Sequence, residues 1–442
     1  MMFNNLFKYT QKKLNFLYEN SLLLQNIDRL IFVFLIAVFL LSTVMSSEIL
    51  GIVALCAIIL TIFRVLITPE DKFEPNKFEL WLLAYFMIVI VSLAGSTLFA
   101  LSLKGFIKTF TYLGFYVSLV HYLKNHKYHI PYILGAIGVG VTFESIIGLM
   151  QNFAHVDEIS TWQDVSNLNP EQVMTRVYGT LLPLNPNLLG GYFVAGISSL
   201  FGLSAMFLTD GYKDRAVIFL ILALISVGVL FMTGCRGAYL GCMVIFAGLF
   251  LVGAKFLWNK YKKLFITFVA SIFAIAMTAM FSLASLRARF ASIFAMRQDS
   301  SNSFRFNVYQ SSLQMFKDNW LLGIGVGNKN FREIYGLYMR TGFDALSAYN
   351  IFLETAVESG IFALIAFLGF IITMLKRGIS FIINSDNTRD VIFVSAAVIS
   401  ISALMVHGLV DTVFFRPQIQ FIFWAMVAVI SAILNKEISN EV

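Results

Sequence analysis

Apolar runs of about 18 to 25 residues, each long enough to cross a bilayer, recur along the whole chain with short polar breaks between them. They fall near residues 30–47, 49–67, 79–98, 104–123, 130–152, 186–208, 215–233, 238–257, 263–285, 349–375, 389–410 and 417–435. The runs are too long and too evenly apolar for the alternating strands of a membrane barrel. Backbone polar groups in lipid must be satisfied within the segment, so each run is expected to be a helix. The pattern predicts an all-α polytopic membrane protein with about twelve transmembrane helices.

The polar intervals divide the chain. Residues 1–28 read as a cytoplasmic segment, with residues 3–18 able to form a basic interfacial helix. Residues 29–285 hold the first nine spans, 286–348 a large external loop, 349–436 the last three spans, and 437–442 a cytoplasmic tail. The first 28 residues are polar and basic, so insertion is expected to use the first true span.

Composition agrees with this division. Of 442 residues 58% are hydrophobic and only 13% charged, with 45 Phe, which excludes a soluble globular domain. Three cysteines, in or beside apolar runs, suggest neither a disulfide framework nor a zinc site. Five scattered histidines suggest no metal cluster. No phosphate-loop pattern and no DxD-type carboxylate pair are present, so neither nucleotide hydrolysis nor metal-dependent use of sugar nucleotides is expected. No cofactor and no nucleic-acid partner are expected.

Charge sets the orientation. Most of the 32 Lys and Arg residues lie in alternate short loops, which places both termini in the cytoplasm. The loop at 286–348 runs against that bias, because it is external yet carries Arg287, Arg289, Arg297, Arg305, Arg332 and Arg340. It should contain an amphipathic helix from Phe304 to Phe316, followed by a glycine-rich stretch from Gly323 to Gly327. Loops of this length in a compact membrane domain are usually functional.

Several residues are candidates for chemistry. Arg236 stands between two spans, flanked by small residues, where an arginine needs a partner or water. Arg176 precedes Asn185-Pro186, a helix cap and first helical residue, and so lies near the same mouth. Arg305 opens the loop helix. Guanidinium groups bind phosphate oxygens in pairs and stay charged; if these arginines converge, they make an anion site, which Lys104 and Lys108 could join. His407 and Asp411, four apart, read as one helix face with an oriented proton acceptor. Glu354 and Glu358 share a face at the start of the tenth span. Glu144 and Gln151, polar at lipid depth in the fifth span, read as interhelical hydrogen bonders.

Three strings carry a family likeness. They are Thr233-Gly234-Cys235-Arg236-Gly237-Ala238, the stretch from Arg305 to Trp320 leading into Leu322-Gly323-Ile324-Gly325, and Asn350-Ile351-Phe352-Leu353 to Glu358-Ser359-Gly360. In this order, around a long outer loop, they resemble the O-antigen ligase and O-antigen polymerase superfamily over about residues 30–435. The resemblance implies a GT-C-type membrane glycosyltransferase in the bacterial inner membrane. It would move a glycan from a polyprenyl diphosphate carrier to a glycan, lipid or protein acceptor, without metal, and with arginines on the diphosphate. Arg236 matches the arginine after the seventh span and Arg305 that of the loop.

One departure stands out. Family ligases carry a His at the position held here by Tyr349, and a tyrosine with an ordinary pKa near 10 is a poor base. The Ser347-Ala348-Tyr349 form, with Gly408-Leu409-Val410-Asp411-Thr412 and Phe415-Arg416-Pro417, looks more like a branch related to a cyanobacterial bicarbonate transporter. His407, Glu354 and Asp411 are then the substitute bases. A small-anion transporter and an inactive assembly scaffold are the alternatives to a transferase.

Overall fold

The computed structural model describes residues 16, 20–67, 75–154, 175–293 and 299–440. The interfacial helix expected at residues 3–18 lies outside them except at Phe16, as do residues 155–174 of the first outer segment, and Arg297. Among the described residues every regular element is helical.

The order is α1 (Ile27–Leu41), α2 (Ser47–Ile67), α3 (Lys77–Gly95), α4 (Phe99–Asn125), α5 (Ile130–Phe153), α6 (Pro186–Thr209), α7 (Lys213–Met232), α8 (Arg236–Ser282), α9 (Ala284–Ala291), α10 (Ser300–Asp318), α11 (Asn328–Tyr335), α12 (Ile351–Asn384), α13 (Thr388–His407) and α14 (Pro417–Asn440). Every apolar run read from the sequence is helical over most of its length. Among the described residues, nine helices are long and apolar enough to cross a membrane by themselves. The other runs depart for local reasons. Helix α1 has only 15 residues. Helix α4 carries Lys104, Lys108 and Lys124 along its length. The run at 263–285 is the far part of α8, beyond non-helical backbone at Tyr261.

Burial sorts the helices into centre and rim. The α14 segment Pro417–Leu434 is wholly buried, whereas in the α8 segment Arg236–Trp258 only 17% of the most apolar 18-residue stretch is buried. A helix that is apolar on all sides belongs inside a bundle. Around α14, Trp424 stacks on Phe370 at 6.0 Å and Phe421 meets Phe115 edge-on at 4.8 Å. Helix α6 packs against α5, α7 and α13, α3 packs against α12, and α4 against α14.

One break positions the long loop. Helix α12 is interrupted at Gly360, where φ is +81°, and a Cβ there would lie 2.2 Å from the Leu321 carbonyl. Only glycine fits that backbone. The backbone groups freed at the break bond to the loop: Ile324 N donates to Val357 O at 3.0 Å, Gly325 N to Glu358 O at 2.9 Å, and Ile361 N to Trp320 O at 2.8 Å. Broken helix at lipid depth is tolerated where other protein satisfies it. The loop is thereby pinned to the bundle at its C-terminal side.

Candidate anion site at the loop end of the bundle

The site begins with the turn between α7 and α8. Gly234 adopts φ +61°, and the Thr233 hydroxyl accepts from Cys235 N at 3.2 Å. This turn presents Arg236 as the first residue of α8. Arg236 is 8% exposed; its Nη1 lies 2.9 Å from Asp299 Oδ1 and donates to Ser292 O at 3.1 Å. Asp299 also caps α10, accepting from Asn302 N at 2.9 Å. The ion pair therefore fastens the start of the Arg305 helix to the mouth of the bundle.

Helix α10 runs from Ser300 to Asp318, longer than the expected Phe304–Phe316 and led by the Asp299 cap. Its Arg305 points its Nη2 to Asp411 Oδ2 at 3.8 Å, while its buried Nε has no hydrogen-bond partner. The Arg305 guanidinium lies 5.8 Å from the centre of the Tyr349 ring. Arg176 donates from Nε to Thr233 O at 2.7 Å and from Nη2 to Asn187 Oδ1 at 2.6 Å. Asn187 in turn donates to Asp411 Oδ2 at 3.2 Å.

Arg176, Arg236 and Arg305, assembled from three distant stretches, thus come together. A cavity of about 180 Å³ lies between two of them, lined by Arg236, Arg305 and Asn302 on its polar side and by Phe306, Tyr309 and Leu240 on the other. Lys104 and Lys108 do not join. Both are exposed on α4, and Gly105 between them packs against Val326 and Gly327 on a different part of the loop.

Sequence reasoning missed a fourth cation of the cluster. Arg289, on α9, is 7% exposed and donates from Nε to Gly234 O at 2.8 Å, bracing the turn that carries Arg236. Burial first, then the charges of Arg176 and Arg236, push its pKa down to about 10, so it is still a cation at neutral pH. Burial likewise lowers the pKa of Arg176, with Arg236 and Arg305 acting in the same direction. Four guanidinium charges face two carboxylates, Asp299 and Asp411, which leaves two positive charges in excess. The only signal in the sequence was the arginine density of the loop, which does not distinguish Arg289 from its neighbours.

The candidate bases are spread differently. Helix α13 ends at His407, so Asp411 lies in the following turn and not on the helix face expected from its spacing. Its Oδ1 accepts from Thr412 N at 2.7 Å and Val413 N at 3.1 Å. His407 is fully buried; its Nε2 lies 3.8 Å from Cys235 Sγ and its Nδ1 has no partner. Gly237 lines the cavity and also meets the His407 ring, where a Cβ would stand 3.3 Å from Nε2. Glu354 and Glu358 do not line the cavity. Glu354 accepts from Ala348 N at 3.1 Å and Glu358 from Gly327 N at 2.8 Å, so both hold loop backbone in place.

Tyr349 is the only non-glycine residue with positive φ among those described, at 51°. Such a conformation costs about 1–3 kcal/mol and persists where the surroundings over-determine it. Here the Tyr349 carbonyl accepts from the Tyr309 hydroxyl at 3.2 Å and its ring meets Phe304 edge-on at 5.7 Å. Burial, then the Asp411 charge, raises its phenol above the ordinary value, against a smaller opposing pull from Arg305. Among the described residues no three His, Cys, Asp or Glu side chains come together as metal ligands would.

No curated protein matches the chain. The family model described as O-antigen ligase matches residues 221–368, from within α7 through the loop and past the Gly360 break, a stretch that contains Arg236, Arg289, Asp299, Arg305, Tyr349, Glu354 and Glu358. The match spans about a third of the chain, and over that stretch this all-helical membrane protein is similar to the O-antigen ligase family.

Proposed function

We propose that the chain is a glycosyltransferase that takes a glycan from a polyprenyl diphosphate carrier and joins it to an acceptor hydroxyl at the outer face of the bacterial inner membrane. One observation carries the reading: Arg236 and Arg305 line one cavity with Arg176 and Arg289 close behind them, four guanidinium charges against two carboxylates. A glycosyl diphosphate ester carries two negative charges and gains a third as it leaves. Fixed guanidinium donors aimed at that growing charge stabilise the transition state more than the ground state.

In this reading the acceptor oxygen attacks the anomeric carbon. The bond from that carbon to the diphosphate oxygen breaks, and the electron pair leaves with the diphosphate. Arg236 and Arg305 hold the departing charge, and Arg176 and Arg289 brace the Arg236 turn and add to the field. The acceptor proton passes towards the Nε2 edge of His407, which faces Gly237 of the cavity wall. Asp411 keeps Arg305 and Asn187 in register. Tyr349, a neutral phenol, supports the Arg305 guanidinium rather than taking a proton. The work is done by this chain's side chains, with no metal step.

The direct test uses the full chain in vesicles with a lipid-linked glycan and an acceptor. Transfer should occur, inorganic diphosphate should compete with it, and Arg305→Ala should reduce both transfer and competition by about 100-fold. Undiminished transfer by Arg305→Ala, or transfer indifferent to diphosphate, overturns the assignment.

A further inference from the structure

Two polar side chains of α5, Glu144 and Gln151, have no place in the chemistry above. Their polarity at lipid depth suggested bonds from one helix to another. That role belongs instead to Ser145, whose hydroxyl donates to Ser226 of α7 at 2.8 Å. Glu144 and Gln151 both turn to the irregular segment that carries Arg176. The Gln151 side-chain carbonyl accepts from Tyr178 N and Gly179 N, each at 3.0 Å, and its amide donates to Gly179 O at 3.1 Å. Glu144 Oε2 accepts from Thr180 N at 3.0 Å, and its Oε1 accepts from the Thr180 hydroxyl at 2.6 Å.

The fit is close. Glu144 is fully buried, and Gly179 adopts φ +67° with a Cβ position only 2.1 Å from Glu144 Oε2. Three consecutive residues of non-helical backbone, 178–180, are thus bonded by two side chains seven positions apart on one helix. Non-helical backbone inside a membrane protein needs such partners. Two residues before this clamp stands Arg176, which bonds the Thr233 carbonyl on one side and Asn187 on the other. Val177 N adds a bond to Met232 O at 3.2 Å. Displacing the segment would release both the turn before Arg236 and the Asn187–Asp411 contact.

We infer that Glu144 and Gln151 are positioning residues that hold Arg176, and through it both walls of the anion site, in place. The effect on catalysis rests on the transferase reading; the effect on Arg176 does not. The test therefore has two arms.

In the first arm, the full chain in detergent is treated with trypsin, and the new N-terminus at Val177 is followed by mass spectrometry. Cutting after the exposed Arg340 serves as an internal reference for an intact fold. Both Glu144→Ala and Gln151→Ala should speed the Val177 cut by about 10-fold relative to the Arg340 cut, because local opening exposes the bond. Equal relative rates in wild type and both variants overturn the inference. Either variant alone decides if the other fails to fold.

In the second arm, Glu144→Ala should lower glycan transfer by about 10-fold in wild type and add nothing in an Arg176→Ala background, as expected for residues acting as a unit. Equal losses in both backgrounds overturn the route through Arg176. A wild-type chain without transfer would fail the transferase reading alone, leaving the trypsin arm to judge the clamp.

Discussion

Two buried polar clusters sit at opposite ends of the bundle and differ in one respect. Far from the loop, Glu79 of α3 accepts from the Tyr116 hydroxyl at 2.5 Å, the Ser431 hydroxyl at 2.6 Å and Asn76 N at 2.6 Å. Asn76 donates to Ser431 at 3.2 Å and accepts from Arg377 at 3.2 Å. Each of these polar side chains has a partner, and the cluster ties α3, α4, α12 and α14 together. At the loop end, by contrast, the buried Nε of Arg305 has no partner, and Arg305 lines a cavity. A satisfied network rigidifies a fold, whereas a buried donor left open beside a cavity is free to take a ligand. Closed, such a network is structure; open, it is a candidate site.

The comparison can be broken most sharply at Arg236. Arg236→Ala removes a guanidinium aimed at the leaving charge, and transfer measured in vesicles should fall about 1000-fold with the protein still inserted. Loss of less than about 10-fold would move the site elsewhere. His407→Ala should lower transfer about 100-fold, the scale of a general base; unchanged rates would reassign the proton.

Glu79→Ala should behave in the reverse manner. Its loss strands three buried donors and should cost about 2 kcal/mol of stability, read as a lower melting temperature, while transfer per folded molecule stays as in wild type. A Glu79→Ala protein that is stable but inactive would erase the contrast between the clusters.

The smallest effect is expected at Tyr349. Burial raises its phenol, so below about pH 9 it stays neutral and contributes no titrating step. Tyr349→Phe keeps the ring beneath Arg305 and should leave the shape of the pH profile unchanged between about pH 7 and 9. A lost limb in that range would make Tyr349 a proton carrier.

Much of this was legible in one dimension. Length and apolarity announce a membrane helix because lipid offers the backbone no other partner, and all the runs from 30–47 to 417–435 are helical over most of their length. Pro186 at the first position of α6, with the Asn185 side chain accepting from Asn187 N at 2.7 Å, follows from local chemistry alone. Arg236 stands out because an arginine between two spans needs a partner or water, and Arg305 because it opens the loop helix. Lys104 and Lys108 were grouped with them wrongly in space, since a helix end says nothing about which neighbour it faces. Asp411 was read onto α13 because spacing assumes that a helix continues, and this one stops at His407.

What the sequence determined by itself is the solvent of each segment, which depends on composition summed over a turn or a span. It also determined the arginine identities and hence the positive sign of the cluster. Only the tertiary structure decided which arginines meet, that Arg289 belongs with them, that Glu354 and Glu358 hold the loop rather than face the cavity, and that Glu144 and Gln151 clamp the Arg176 segment. Those outcomes depend on contacts between residues far apart in the chain, such as Arg176 with Thr233 and Asn187 with Asp411. Hydrophobic period carries no record of such pairs, because the direction of a buried polar side chain is set by whichever backbone group the fold brings within about 3 Å of it.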